Sequence, residues 1–198
     1  MFIAIDGIDG SGITTHCKLL CNWIESLGLK VHLTKEPSSG KIGELIRHYL
    51  KLKDIPAAVD ALLFAADRVE HCIEIKSYLD KGYIVISDRY VESSRAYQVA
   101  EGLPPDWVDL INRYAITPDL NIILDVEPRI ALKRKFGRDI GDEKFEELEF
   151  LTRVREIMLK NARLRNYPIV DTNKSIEEVH RSLREIILGK FRDVGIII

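Results

Sequence analysis

The sequence has little cysteine, a single glutamine, no long apolar run and no marked excess of either charge. Its three cysteines, Cys17, Cys21 and Cys72, offer no disulfide framework, and no second pair stands ready to complete a zinc site. Cys17 and Cys21 are four apart, which puts them on one helical face as small packing residues. No basic leader precedes the apolar start MFIAIDGIDG, and no run approaches the roughly 18 residues of a membrane span. The apolar GIII at the other end is far too short to cross a bilayer and reads as a strand or a packed tail. With 29 Lys+Arg against 31 Asp+Glu, the formal net charge of -2 gives no general pull toward nucleic acid. Neither a membrane nor nucleic acid is expected as a partner, and a cytoplasmic location is. No low-complexity tract, repeat or Pro/Gly/Ser linker divides the 198 residues, so one domain over 1–198 is expected. Scarce glutamine and abundant isoleucine lean toward a thermophilic source.

What is present is a core-sized apolar content, 46%, beside 30% charged residues, and a regular alternation of strand and helix signals. Short apolar runs predict strands at 2–5, 31–33, 83–86, 121–125 and 168–170. Helical spacing predicts helices at 14–27, 40–52, 57–80, 92–100, 105–115 and 128–136. A polar, glycine-containing loop at 137–142 reads as mobile. A long charged helix follows it, and a last helix covers 175–188, opened by the capping box of Ser175 and Glu178. Strands separated by helices imply an α/β fold, with a five-stranded parallel sheet covered on both faces. In such a sheet the ligand crevice lies beyond the carboxyl ends of the strands.

The segment Gly7-Ile8-Asp9-Gly10-Ser11-Gly12-Ile13-Thr14-Thr15 follows the first strand and opens the first helix. It matches the phosphate-loop pattern G-x-x-x-x-G-K-[ST], except that Ile13 stands where the lysine belongs. The glycines let backbone N–H groups wrap a phosphate, the helix N-terminus adds its positive end, and the Thr14 hydroxyl is placed for Mg2+. Isoleucine cannot follow the migrating charge. By analogy with removing one oxyanion donor, its loss costs about 3–4 kcal/mol of transition-state stabilisation, or roughly 10²–10³ in rate. Three accounts of Ile13 stay open: an introduced substitution, a natural divergence rescued by other cations, or a nucleotide-binding protein that no longer catalyses.

Further along, Phe64 and Arg68 share a helical face, where an aromatic beside a guanidinium can stack a base and bond its carbonyl edge. Asp88 ends the third strand, well placed to organise Mg2+ and its waters, and Arg89 beside it is suited to clamp a phosphate.

Together these features resemble the thymidylate kinase family, a branch of the P-loop nucleoside-monophosphate kinases, over nearly the whole chain. The likeness is carried by the loop at 7–15, Thr34-Lys35-Glu36-Pro37, Ile42-Gly43-Glu44-Leu45-Ile46-Arg47 and the segment 62–68. It continues in Asp88-Arg89-Tyr90, Ser93-Ser94-Arg95-Ala96-Tyr97-Gln98 and Pro118-Asp119-Leu120. The resemblance implies a three-layer P-loop kinase fold with a mobile lid at about 133–142. It also implies transfer of the γ-phosphoryl group of ATP to dTMP in dTTP biosynthesis, with Mg2+, by a homodimer. By the same resemblance, Phe64 stacks on thymine and Arg68 bonds its O4 edge, while Ser94, Tyr97 and Gln98 line the base and sugar pocket. Arg47 and Arg89 hold the acceptor phosphate, Asp9 and Glu36 lie near the sugar hydroxyl and the metal-bound waters, and Asp88 supports Mg2+. The family's Glu-Pro-Gly-Gly loop is Glu36-Pro37-Ser38-Ser39 here. A cation near the transferred group is expected from the lid, with Arg138 first and Arg134 next, beside Lys133 and Lys135. Two alternatives accompany the dTMP kinase: a nucleotide-binding protein with impaired or no catalysis, and a broader deoxynucleoside-monophosphate kinase.

Overall fold

The computed structural model describes residues 1–52, 55–137 and 145–196. Its two central strands, β1 (Phe2–Gly7) and β3 (Ile84–Asp88), are buried along their whole length, which is why their sequences run apolar without alternation. β2 (Val31–Lys35) and β5 (Ile169–Asp171) show the alternating exposure of sheet edges. β4 (Leu120–Asp125) completes a sheet of order β2-β3-β1-β4-β5, parallel at every pairing. Ile5 and Lys35 both pair with Asp88, so β1, β2 and β3 present their carboxyl ends at one level.

Among the described residues eight helices cover this sheet. On one face lie α1 (Ile13–Ser26) and α8 (Ile176–Asp193), whose Cys17, Leu20, Ile24, Leu183 and Phe191 close a core over Ile3, Ile5 and Leu124. On the other, α6 (Pro128–Phe136) and α7 (Phe145–Leu164) bury Leu132, Val154 and Met158 against Ile8 and Ile123. There α3 (Ala57–Asp80) and α4 (Val91–Ala100) bring Cys72, Ile75 and Val91 onto Phe2 and Val85. α2 (Lys41–Tyr49) and α5 (Pro105–Ile111) complete the set. This is the expected three-layer α/β fold, with the cysteines buried and unpaired as small core residues.

The helix ends that differ most from the sequence reading are those of α5 and α8; α2 also stops at Tyr49, short of the expected 52, and β1, β2 and β3 each run two residues further than expected. α5 ends at Ile111, four residues early, because the Asn112 side chain donates to Val108 O at 2.8 Å and competes with continuing the helix. α8 continues through Gly189 to Asp193, since Phe191 is buried against α1 and its packing outweighs the glycine's weak helix propensity. The capping box is formed as expected, with Glu178 N donating to Ser175 Oγ and Ser175 N to Glu178 Oε2. Beyond α8, Ile196 packs on the α1/α8 core, so the end is a packed tail as far as Ile196. Among the described residues no helix is long and apolar enough to cross a membrane.

Candidate active site

The turn between β1 and α1 is shaped by backbone and by close neighbours. Gly10 and Gly12 have φ of 83° and 92°, the left-handed region that favours glycine. A Cβ on Gly10 would lie 2.3 Å from the Ala131 carbonyl oxygen of α6. The resulting cleft, about 420 Å3, is lined by residues 8–15 together with Asp88, Arg89, Arg134 and Lys135. Ile13 touches this cleft but is only 5% exposed and belongs to the α1 core cluster. Where a lysine would project its charge, isoleucine roots the first turn of α1 in apolar packing. Thr14 Oγ1 donates to Asp88 Oδ2 at 2.6 Å, so a hydroxyl and a carboxylate converge at the cleft wall. These are hard oxygen donors of the kind Mg2+ takes, and the pair fits it. Among the described residues no group of three His, Cys, Asp or Glu could hold a metal alone, so the other oxygens would come from bound phosphates and water.

Arg89 follows β3 with a left-handed backbone, φ 74°. Its Nη1 donates to Gly7 O at 2.8 Å and its Nη2 to Asp9 Oδ1 at 2.6 Å, while the guanidinium lies over the Tyr97 ring. Tyr97 Oη in turn accepts from Asp9 N at 2.9 Å. Burial pushes the Tyr97 hydroxyl up to about 12 despite the opposing charge of Arg89, so it stays protonated at neutral pH. Beneath them, buried Asp6 accepts from Tyr90 N, Ser93 N and Ser93 Oγ through one oxygen and fixes the start of α4. Burial raises its carboxyl above the usual range.

A second cavity, about 260 Å3, lies beyond this wall and is lined by Glu36, Phe64, Arg68, Ser94, Tyr97 and Gln98, among others. Asp9 and Arg89 line both cavities. Arg68 is 1% exposed and fully committed: Nε and Nη2 donate to Glu36 Oε2, Nη1 to Asn112 Oδ1 and Nη2 to Ser94 Oγ. His71 bonds Glu36 Oε1 at 3.2 Å and Thr34 Oγ1 at 2.6 Å. Ser38, at the first departure from the Glu-Pro-Gly-Gly pattern, donates its N and Oγ to the two oxygens of buried Asp67. A side chain thus supplies the loop geometry that the family leaves to glycine.

Residues 8–15 of the expected loop, with Asp88, Arg89 and Arg134, meet in the first cavity, and Glu36, Phe64, Arg68, Ser94, Tyr97 and Gln98 in the second, whereas Gly7 lines neither and takes part through its carbonyl, which accepts from Arg89. Arg47 lines neither; its Nη1 donates to Pro37 O and, at 2.6 Å, to Ser38 O. Arg134 bonds Thr172 O and Gly10 O, and Lys135 bonds Asp9 and Glu147. Arg138 and positions 138–142 of the expected lid lie outside the described residues. Sequence reasoning missed Asp6, Asp67, His71 and Asn112. A carboxylate inside the apolar run FIAID was the one readable signal; the other three are ordinary residues that only the fold brings together.

Comparison with known proteins agrees with this architecture. Residues 5–183 match the family model described as thymidylate kinase. A protein of Pyrobaculum aerophilum named "probable thymidylate kinase" is 50% identical over 188 residues, covering 94% of this chain and 95% of the relative. Proteins of the same name from Thermococcus gammatolerans and Pyrococcus abyssi are 42% and 43% identical, over 96% and 94% of this chain and 99% and 95% of theirs.

Proposed function

The chain belongs to the thymidylate kinase family, and from that membership we propose that it transfers the γ-phosphoryl group of ATP to dTMP, giving dTDP and ADP. The observation that carries the reading is the shared wall: Asp9 and Arg89 belong to the cleft of the phosphate loop and to the aromatic pocket alike. Two substrates filling the two cavities would meet at that wall.

Phosphoryl transfer asks mainly for positioning and charge neutralisation. ATP phosphates lie against the backbone N–H groups of residues 8–15. Thr14 and Asp88 would hold Mg2+, whose contribution when bound is to neutralise phosphate charge. The acceptor's base stacks on Phe64 beside Arg68, Ser94 and Gln98, and its phosphate reaches Arg89. Arg47 shapes that side of the pocket by holding the Pro37 and Ser38 carbonyls. No general base is needed, because the acceptor phosphate is already an anionic nucleophile. With Ile13 uncharged, positive charge at the cleft comes from Arg89, Arg134 and Lys135. Arg138 would add to it from the lid.

A homodimer is supported by α3, whose exposed Val59, Leu62, Ala66, Val69 and Ile73 recur at spacings of three and four. Ile73 alone is 73% exposed. Such a stripe, on the side opposite buried Ala65, Arg68, Cys72 and Ile75, suits a second copy of the same helix. Three free, buried cysteines suit a reducing cytoplasm.

The deciding experiment is an ADP-release assay with Mg2+-ATP and a panel of deoxynucleoside monophosphates at elevated temperature. Turnover is expected with dTMP above all others. Phosphorylation of no acceptor, with both nucleotides still bound, would instead make the chain a binding protein, the reading that Ile13 motivates. Equal rates across the panel would make it a broad kinase.

A further inference from the structure

Toward the amino ends of the strands, where Thr117 and Pro118 lead into β4, lies a third cavity of about 210 Å3. Its wall includes Asn121, which pairs with Ala4 near the start of β1, whereas the phosphate loop follows the end of that strand. It shares no lining residue with the phosphate cleft or the aromatic pocket. Arg95 reaches it from α4, Asp109 and Arg113 from α5 and the turn after it, and Arg165 from the segment after α7. The three guanidinium groups are only partly answered. Arg95 donates from Nε to Asp109 Oδ1 and from Nη1 to buried Glu92 Oε1, both at 2.5 Å, which leaves its Nη2 without a carboxylate. Arg165 stands 3.8 Å from Glu92 and 3.6 Å from Asp109, too far for a hydrogen bond to either. Arg113 has no carboxylate partner among the described residues, and its Nη2 donates to the Tyr114 hydroxyl at 2.9 Å. Asn121 is 7% exposed, and its side chain makes no hydrogen bond among the described residues.

We infer that this third cavity is a second anion site, which binds a compact oxyanion of two or more charges, a phosphate or a small dicarboxylate, through Arg165, Arg113 and Asn121. A guanidinium carries donors only, in a planar fork that matches the paired oxygens of phosphate and carboxylate. Two carboxylates against three such groups leave one positive charge and several donors unmatched. The buried Asn121 amide adds a donor whose desolvation is offset only when a partner arrives. Size narrows the choice of ligand. At half the volume of the phosphate cleft, the cavity has room for such an ion and none for a nucleoside triphosphate.

The test is calorimetric titration of the full-length chain with phosphate, pyrophosphate and succinate, while saturating ADP and dTMP fill the other two cavities. One equivalent of at least one probe is expected to bind, with a Kd that rises about tenfold in Arg165→Gln and in Arg113→Gln. Both arginines are exposed, so neither change reaches the core, and either variant alone decides the matter if the other folds poorly. Tighter binding of the phosphates makes the ligand a phosphorylated one, and tighter binding of succinate makes it a dicarboxylate. Binding of no probe, or a Kd unchanged in the variants, overturns the site. Should ADP or dTMP fail to bind, the kinase reading is what suffers. The probe then enters the phosphate cleft as well, and the difference between parent and variants still reports the third cavity alone.

Discussion

The two cavities are built in opposite ways. The phosphate cleft is made largely of backbone, held open by left-handed glycines and by the carbonyl of Ala131 pressed against Gly10. The aromatic pocket is made of side chains in a closed polar network, in which Arg68, Glu36, His71, Asn112 and Ser94 satisfy one another with almost no solvent. A cradle of N–H groups can lose a side chain and keep its shape, and Ile13 shows that such a loss can even be turned to packing. A network of buried charges has no such tolerance, because every member leaves another unpaired.

The contrast is sharpened most by Arg68→Met. It strands the Glu36 carboxylate in the interior, and the expected loss is about 3–5 kcal/mol of folding stability. Chemical denaturation measures it, and nucleotide titration should show dTMP binding abolished with ATP binding kept. A variant as stable as the parent would show that the network is not closed.

The legibility of the two regions follows the same division. The phosphate loop could be read directly, since contiguous residues and left-handed glycines make a local pattern. Phe64 and Arg68 could be placed on one helix face by spacing. That Arg68 is buried, tied to Glu36 from the loop after β2 and to Asn112 at the end of α5, depends on the fold. Ile13 was legible as a missing charge and not as a core residue, because periodicity in α1 gives its face only once the helix start is fixed. Arg47 could be read as a cation near the site, yet its carbonyl partners come from the turn at Pro37 and Ser38. Strand positions were read well because the central strands are apolar for most of their length, although their polar ends, Asp6 in β1 and Ser87-Asp88 in β3, lay beyond the expected ranges, whereas ends such as those of α5 and α8 are set by single contacts.

Next in size is Ile13→Lys, which probes the tolerant side. It is expected to raise kcat with dTMP by about 10²-fold, the lower end of what one transition-state donor contributes. It should also lower thermal stability, because a buried apolar anchor is lost. Steady-state kinetics beside melting curves separate the two effects. An unchanged kcat would mean that Arg134 and Lys135 already supply the whole charge.

The smallest expected effect concerns pH, where the regions differ in sign. His16, in the first turn of α1, and His180 in α8 are held below the usual histidine range. Burial is the main cause for both, with the charges of His180 and Arg134 acting on His16 and that of Arg184 on His180. The unfolded chain therefore takes up these protons first, and stability is lost as pH falls through about 6.5. At the aromatic pocket Glu101 behaves in reverse: burial, then the charge of Asp60, lifts it to about 7. Its contribution is present at acid pH and lost between the ordinary glutamate range and neutrality. Glu101 is exposed over more than a third of its surface, so solvent screens that term and the histidines dominate. Melting temperature is expected to drop between pH 7.5 and 5.5, and less steeply in His16→Leu. A slope identical in that variant would assign the acid sensitivity elsewhere.

The backbone at Arg89 has a consequence for any effort to harden this enzyme. A non-glycine residue held at φ 74° stores on the order of 1–3 kcal/mol, and glycine or asparagine would release part of it. Neither could span from Gly7 to Asp9, so the substitution that relaxes the chain also dissolves the partition between the two cavities. At this one position, durability and turnover are set against each other by geometry.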